Sequence, residues 1–187
     1  MSLELQLVKD CLKQKRQAQE ELYNLFAGNM LGVCFRYTKS MFDAEEVLQL
    51  GFIKVFHFLH QYRSDGDLGA WIRRIMVNTA INYMKRKPGY QMELSFDDNP
   101  LHPVDMNNEA EGLVNFKELL SLIRQLPGGY QTIFNLHAIE GYSHVEIARL
   151  LGIHEGTSRS QYARARALLI SWLKKPLTNQ KQGVYGE

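Results

Sequence analysis

The chain has 187 residues, 45% of them hydrophobic and 22% charged, with a net charge of +2. That length accommodates one ordinary domain or two small ones, and the composition is that of a soluble globular protein. No run approaches the length of a membrane span and the first residues lack a signal-peptide pattern, so no membrane insertion and a reducing cytoplasm are expected. The small net charge conceals an uneven distribution. Residues 88–112 contain no Lys or Arg but include Glu93, Asp97, Asp98, Asp105, Glu109 and Glu111, so the remainder is clearly basic. Cys11 and Cys34, the only cysteines, share no ligand spacing and read as small buried hydrophobes.

The first forty residues contain almost no Gly or Pro and read as two helices. Leu3, Leu5, Leu7, Val8 and Leu12 supply a short one. Leu22, Leu25, Phe26, Met30, Val33 and Tyr37 recur at three- and four-residue steps and supply a longer one. Asp43 with Glu46 is an N-terminal capping signature, predicting a helix from about Asp43 to Tyr62. Its apolar residues, from Val47 to Leu59, occupy more than one side, as in a helix at the centre of a bundle or one that offers a face to another protein. Asp43, Glu45, Glu46 and Gln49 in its first turns either complement the helix dipole or form an acidic docking face. His57 and His60 lack a third ligand, so no metal is expected.

A polar loop over 61–69 leads into a helix over 70–87, ended by Pro88 and Gly89. Ile72, Ile75, Met76, Thr79 and Tyr83 fall on its packed side. Arg74, Asn78 and Lys85 line another side with Trp71 at the edge, and Arg86 and Lys87 add charge in the last turn. An aromatic beside a basic, amide-bearing stripe suits single-stranded nucleic acid, although a solvated charged face with a core tryptophan has the same pattern.

Residues 91–112 read as an extended acidic linker, with Pro100 and Pro103 inside it. Helices are predicted over 113–126 and 130–140, separated by Pro127-Gly128-Gly129. Ser143 with Glu146 then starts an apolar helix that Gly152 stops, and a second helix begins at His154 or Glu155. This is the layout of a helix-turn-helix. At about 100° per residue, Ser158, Tyr162, Ala165 and Leu169 form the packed face of the second helix. Gly156, Ser160 and Ala163 lie opposite, flanked by Arg159 on one side and Thr157 and Arg164 on the other. Small residues in the middle and arginines at the margins suit a helix pressed into a major groove. An amphipathic helix with a solvated basic face is the plainer alternative. Pro176 ends this helix, and 177–187 read as a loose tail. The expected fold is all-α: helical domains at 1–90 and 113–176, joined by the acidic linker at 91–112. No P-loop, GxSxG or HExxH motif and no nucleophile–base arrangement is present, so neither catalysis nor a cofactor is expected.

DAEEVLQLGF (43–52) and AWIRRIMVNTAIN (70–82) resemble the promoter-melting domain of bacterial sigma factors. LPGGYQTIFNL (126–136), EGYSHVEIA (140–148) and GIHEGTSRSQ (152–161) resemble their upstream-element-binding domain. Two such domains with an acidic linker are similar to the extracytoplasmic-function (ECF) group of the sigma-70 family, over about residues 22–172. The resemblance implies a promoter-specificity subunit that partners core RNA polymerase and promoter DNA, double-stranded at −35 and single-stranded at −10. An anti-sigma factor is a further candidate partner. It implies core-polymerase docking by Asp43, Glu46, Gln49 and Phe52. It implies −10 strand capture by Tyr62, Arg63, Trp71, Arg74, Asn78, Lys85 and Arg86, and −35 reading by Gly156, Thr157, Arg159, Ser160, Ala163 and Arg164. The chain departs from the family pattern at Leu50, usually acidic, at Leu68 and Gly69, usually aromatic and acidic, and at His154, usually a serine cap. Without the resemblance, a dimeric repressor or activator of duplex DNA remains a rival, though it would not need the basic, tryptophan-bearing helix.

Overall fold

A computed structural model describes residues 3–63, 66–90, 94 and 116–174. Their regular structure is entirely helical, and the chain divides into two compact units, Met1–Met92 and Glu93–Glu187. Except for Leu94, the expected linker at 91–112 lies outside the described residues, as does the tail at 177–187.

The first unit comprises α1 (Leu3–Leu12), α2 (Arg16–Tyr37), α3 (Met41–Phe58), a 3-10 turn (Leu59–Gln61) and α4 (Leu68–Met84). Helices α2, α3 and α4 all pack on one another, and α1 lies on α2. α3 starts two residues earlier than expected because Ser40 is the cap: its Oγ accepts from the Asp43 backbone N–H at 3.0 Å. Asp43 is therefore inside the first turn, which releases its carboxylate for other work. α4 also starts two residues early, because Asp67 Oδ1 accepts from the Ala70 N–H at 3.0 Å. It ends at Met84, and Lys85–Lys87 continue as a turn.

Leu22, Tyr37, Val47, Val55, Leu68, Ile72 and Met76 form the centre of this unit, each 1% exposed or less. Full burial of such a side chain is worth about 1.5–3 kcal/mol, which is what holds three amphipathic helices together. Cys11 and Cys34 are buried and unpaired. Burial pushes their thiols up to about 11 and about 12, leaving both as inert packing groups.

The second unit comprises α5 (Phe116–Gln125), α6 (Gly128–Phe134) with a π turn at Asn135–Ile139, α7 (His144–Leu151) and α8 (Glu155–Lys174). α6 begins at Gly128, with Pro127 as its cap, so the two glycines open this helix instead of separating it from the last. The expected single helix over 130–140 widens after Phe134. Glu140 N–H donates to the Asn135 carbonyl at 2.9 Å, five residues back. Ile123, Leu126, Ala165 and Leu169 make the core, and Leu119, Phe134 and Trp172 close around it. Leu94 is fully buried too, and its carbonyl accepts a hydrogen bond from the Gln161 side chain. This one residue of the expected linker is thus part of the second unit.

Candidate nucleic-acid interface

The helix-turn-helix is built from local chemistry. Ser143 Oγ accepts from the Glu146 N–H at 3.3 Å, and Glu146 Oε2 accepts from the Ser143 N–H at 2.8 Å, a complete capping box. Gly152 ends α7 in the left-handed region, φ 74°, and its N–H returns to the Ala148 carbonyl at 2.9 Å. The first residue of α7 then pins the first turn of α8: His144 Nδ1 lies 2.9 Å from Ser158 Oγ. The His144 ring stacks on His137 at 4.2 Å, and Tyr162 meets His137 edge-on at 4.5 Å. Ser158, Ala165 and Leu169 are buried and Tyr162 half-buried, in line with the expected packed face. Gln161, outside that expected set, is buried with them.

On the other side of α8, Gly156, Arg159 and Ala163 are exposed, while Thr157, Ser160 and Arg164 are half-buried. Ser160 Oγ donates to the Thr157 carbonyl at 3.1 Å. Arg159 is held one turn back by Glu155, whose Oε1 accepts from Nε at 3.0 Å and Nη2 at 2.5 Å. Arg166 is also exposed, with its guanidinium 6.0 Å above the Tyr162 ring. Its spacing of seven from Arg159 places it on the same side, a signal the sequence reading passed over.

In the first unit, the loop before α4 brings Tyr62 and Trp71 together with ring centroids 5.6 Å apart, and the Tyr62 hydroxyl donates to the Gly66 carbonyl. Trp71, Arg74, Asn78 and Lys85 fall within about 60° on the helical wheel. Arg74 is exposed and the other three are half-buried. Asn82, exposed, lies on the same stripe. Arg63 and Arg86 are exposed nearby in sequence at either end. Leu68 is fully buried as the first residue of α4, and a Cβ on Gly69 would lie 3.2 Å from the Phe26 ring. The departures there serve the packing of the loop and α4.

The acidic residues of α3 are tied to the end of α4. The Tyr83 hydroxyl lies 2.6 Å from Asp43 Oδ1 and 2.7 Å from Glu46 Oε2, and Lys87 Nζ lies 2.8 Å from the same Asp43 oxygen. Hydrogen bonds from Lys87 and then Tyr83 hold the Asp43 carboxyl below its usual range. Burial first, then the two carboxylates, push the Tyr83 phenol up to about 12. Gln49 is exposed beside Glu46. Phe52 corrects the expectation. It is 3% exposed and packs on Tyr23 at 4.6 Å, so its ring serves the core and is not presented with Glu46 and Gln49. The neighbouring Ile53, 65% exposed, continues their stripe instead, seven residues after Glu46 and four after Gln49.

The first unit carries an aromatic, basic stripe and the second a helix-turn-helix, surfaces of the kind that nucleic-acid-binding proteins present. The family description "Sigma-70 region 2" matches residues 22–88, and "Sigma-70, region 4" matches residues 116–169. The ECF RNA polymerase sigma-E factor of Haemophilus influenzae is 30% identical over 179 residues, covering 88% of this chain and 94% of the relative. The RNA polymerase sigma-H factor of Pseudomonas aeruginosa is 28% identical over 176 residues, covering 86% and 89%. The sigma factor RpoE, solved with the anti-sigma factor NepR from Bartonella quintana, shares the fold: TM-score 0.51 at 19% identity, over 84% of this chain and 97% of that one. The chain belongs to the ECF group of the sigma-70 family, RNA polymerase sigma factors that act in transcription initiation. Its partners are accordingly core RNA polymerase and promoter DNA. Among the described residues no helix is long and apolar enough to cross a membrane.

Proposed function

We propose that this sigma factor reads the −35 element with the outer face of α8, captures the −10 non-template strand with the Tyr62–Trp71 corner and the α4 stripe, and docks on polymerase through α3. Gly156, Ser160 and Ala163 let the backbone approach the groove, while Thr157, Arg159 and Arg164 reach base edges or phosphates. Tyr62 and Trp71 offer stacking surfaces for unpaired bases, and Arg63, Arg74, Asn78, Lys85 and Arg86 attract the strand's phosphates. Glu46 and Gln49, joined by Ile53, form the docking stripe. Asp43 and Phe52 support it from within the unit.

The observation that carries this reading is the small-residue face of α8 with arginines at its margins, inside the segment matched to region 4. The protein acts in the cytoplasm, where polymerase and promoters are, and has no catalytic activity of its own. An anti-sigma factor is a further proposed partner, as the similar sigma factor RpoE was solved in complex with the anti-sigma factor NepR. Run-off transcription with core polymerase on a promoter library tests the proposal. It predicts enriched sequences with two conserved blocks, the upstream one altered by α8 substitutions and the downstream one by α4 substitutions. A single block, or enrichment indifferent to both helices, would refute it.

A further inference from the structure

Two carboxylates three residues apart on one helix repel each other, and an exposed glutamate spends conformational freedom each time it meets a partner. In α3 the residues concerned are Asp43 and Glu46, and a single group from the far end of α4 reaches both. The Tyr83 hydroxyl lies 2.6 Å from Asp43 Oδ1 and 2.7 Å from Glu46 Oε2. A phenol has one proton, so the two carboxylates share one donor. Lys87 supplies the second, 2.8 Å from Asp43 Oδ1, with its ammonium 4.8 Å from the Tyr83 ring centroid.

We infer that Tyr83 is a positioning residue for polymerase docking, its hydroxyl presetting the Glu46 carboxylate through the bridge it makes to Asp43. The inference rests on the docking role proposed for α3. Asp43, with its side chain 17% exposed, has Oδ1 occupied by two donors, Tyr83 of α4 and Lys87 just beyond it, and acts inside the unit. Glu46 is exposed and is the carboxylate that an arginine or lysine of the polymerase can reach. A carboxylate held in one orientation meets a guanidinium fork with less ordering to do. Tyr83 also stands two and three residues before Lys85 and Arg86, so the same turn supports docking on one side and the proposed strand grip on the other.

The test is a competition assay of the full chain for core RNA polymerase, run well below each variant's melting temperature as read by circular dichroism. Glu46→Lys is expected to lose at least about tenfold in affinity, by placing like charge on a cationic partner. Tyr83→Phe, which keeps the ring and removes only the donor, is expected to lose about three- to tenfold. In a Glu46→Ala background Tyr83→Phe is expected to have no further effect, which a general structural role would not produce. Wild-type affinity in Tyr83→Phe beside a defective Glu46→Lys overturns the inference and leaves the docking role standing. An equal Tyr83→Phe loss with and without Glu46 overturns it as well. Wild-type affinity in Glu46→Lys overturns the docking role itself.

Discussion

Gly51 of α3 lies directly against the thioether of Met76 in α4: a Cβ placed on Gly51 would fall 2.1 Å from the Met76 sulfur. Met76 is fully buried, so its thioether can give way only by repacking against its neighbours. Alanine would raise helix propensity by about 1 kcal/mol, while overpacking a tight core costs about 1–3 kcal/mol. The clash wins at this distance. Gly51→Ala is expected to destabilise the first unit by up to about 2 kcal/mol net in urea unfolding. Gly51→Ala/Met76→Ala should lose less than the sum of the single variants, because the methyl then occupies space that the methionine vacates. Simple additivity would contradict the contact.

His144 gives the second unit a dependence on pH. Burial, then the neighbouring His137 and Arg159, lower its imidazole below the usual 6.5, against the opposing pull of Glu155. The unfolded chain therefore takes up a proton that the folded chain resists. The contribution to stability is complete above the unfolded value, about 6.5, and is lost as pH falls from there through the lower folded value. Melting of the wild type is expected to drop on going from about pH 7 to about pH 5, and less steeply in His144→Gln. Parallel curves for the two proteins would show that His144 is not the group responsible.

The −35 reading places Arg159 at the margin of α8 with Glu155 holding one edge of its guanidinium. Arg159→Ala and Arg164→Ala are each expected to weaken binding of the holoenzyme to a cognate promoter by about 1–3 kcal/mol per lost base contact, measured by fluorescence anisotropy at fixed salt. Affinity and base preference unchanged in both variants would remove α8 from the recognition surface.

Arg74 is exposed on the α4 stripe, one turn after Trp71. Arg74→Ala is expected to impair strand opening more than initial duplex binding, because the partner proposed for it is the unpaired strand. Permanganate footprinting reads this directly. A footprint of wild-type intensity would contradict the role.

Features set by neighbours in sequence were legible before the structure. Ser143, Glu146 and Gly152 define both ends of α7 through hydrogen bonds within four residues, and a local pattern suffices to find them. The faces of α8 followed from small and charged residues at helical spacing, yet Gln161 escaped. A buried glutamine breaks no polar pattern, and its partner is the Leu94 carbonyl 67 positions away. Phe52 and Ile53 show the limit of periodicity. On a helix apolar on more than one side, which of two adjacent residues faces inward depends on Tyr23 of another helix. The bridge from Tyr83 to Asp43 and Glu46 spans 40 and 37 positions and had no local signal.

On the proposed function, the two helical units work only when seated on polymerase. Gel filtration of the purified chain with stoichiometric core RNA polymerase tests it most directly. Co-elution in one peak is expected, reduced in Glu46→Lys, with promoter binding by that peak but not by the chain alone. Elution apart from the core enzyme, or equally good promoter binding without it, would rule out that dependence on polymerase.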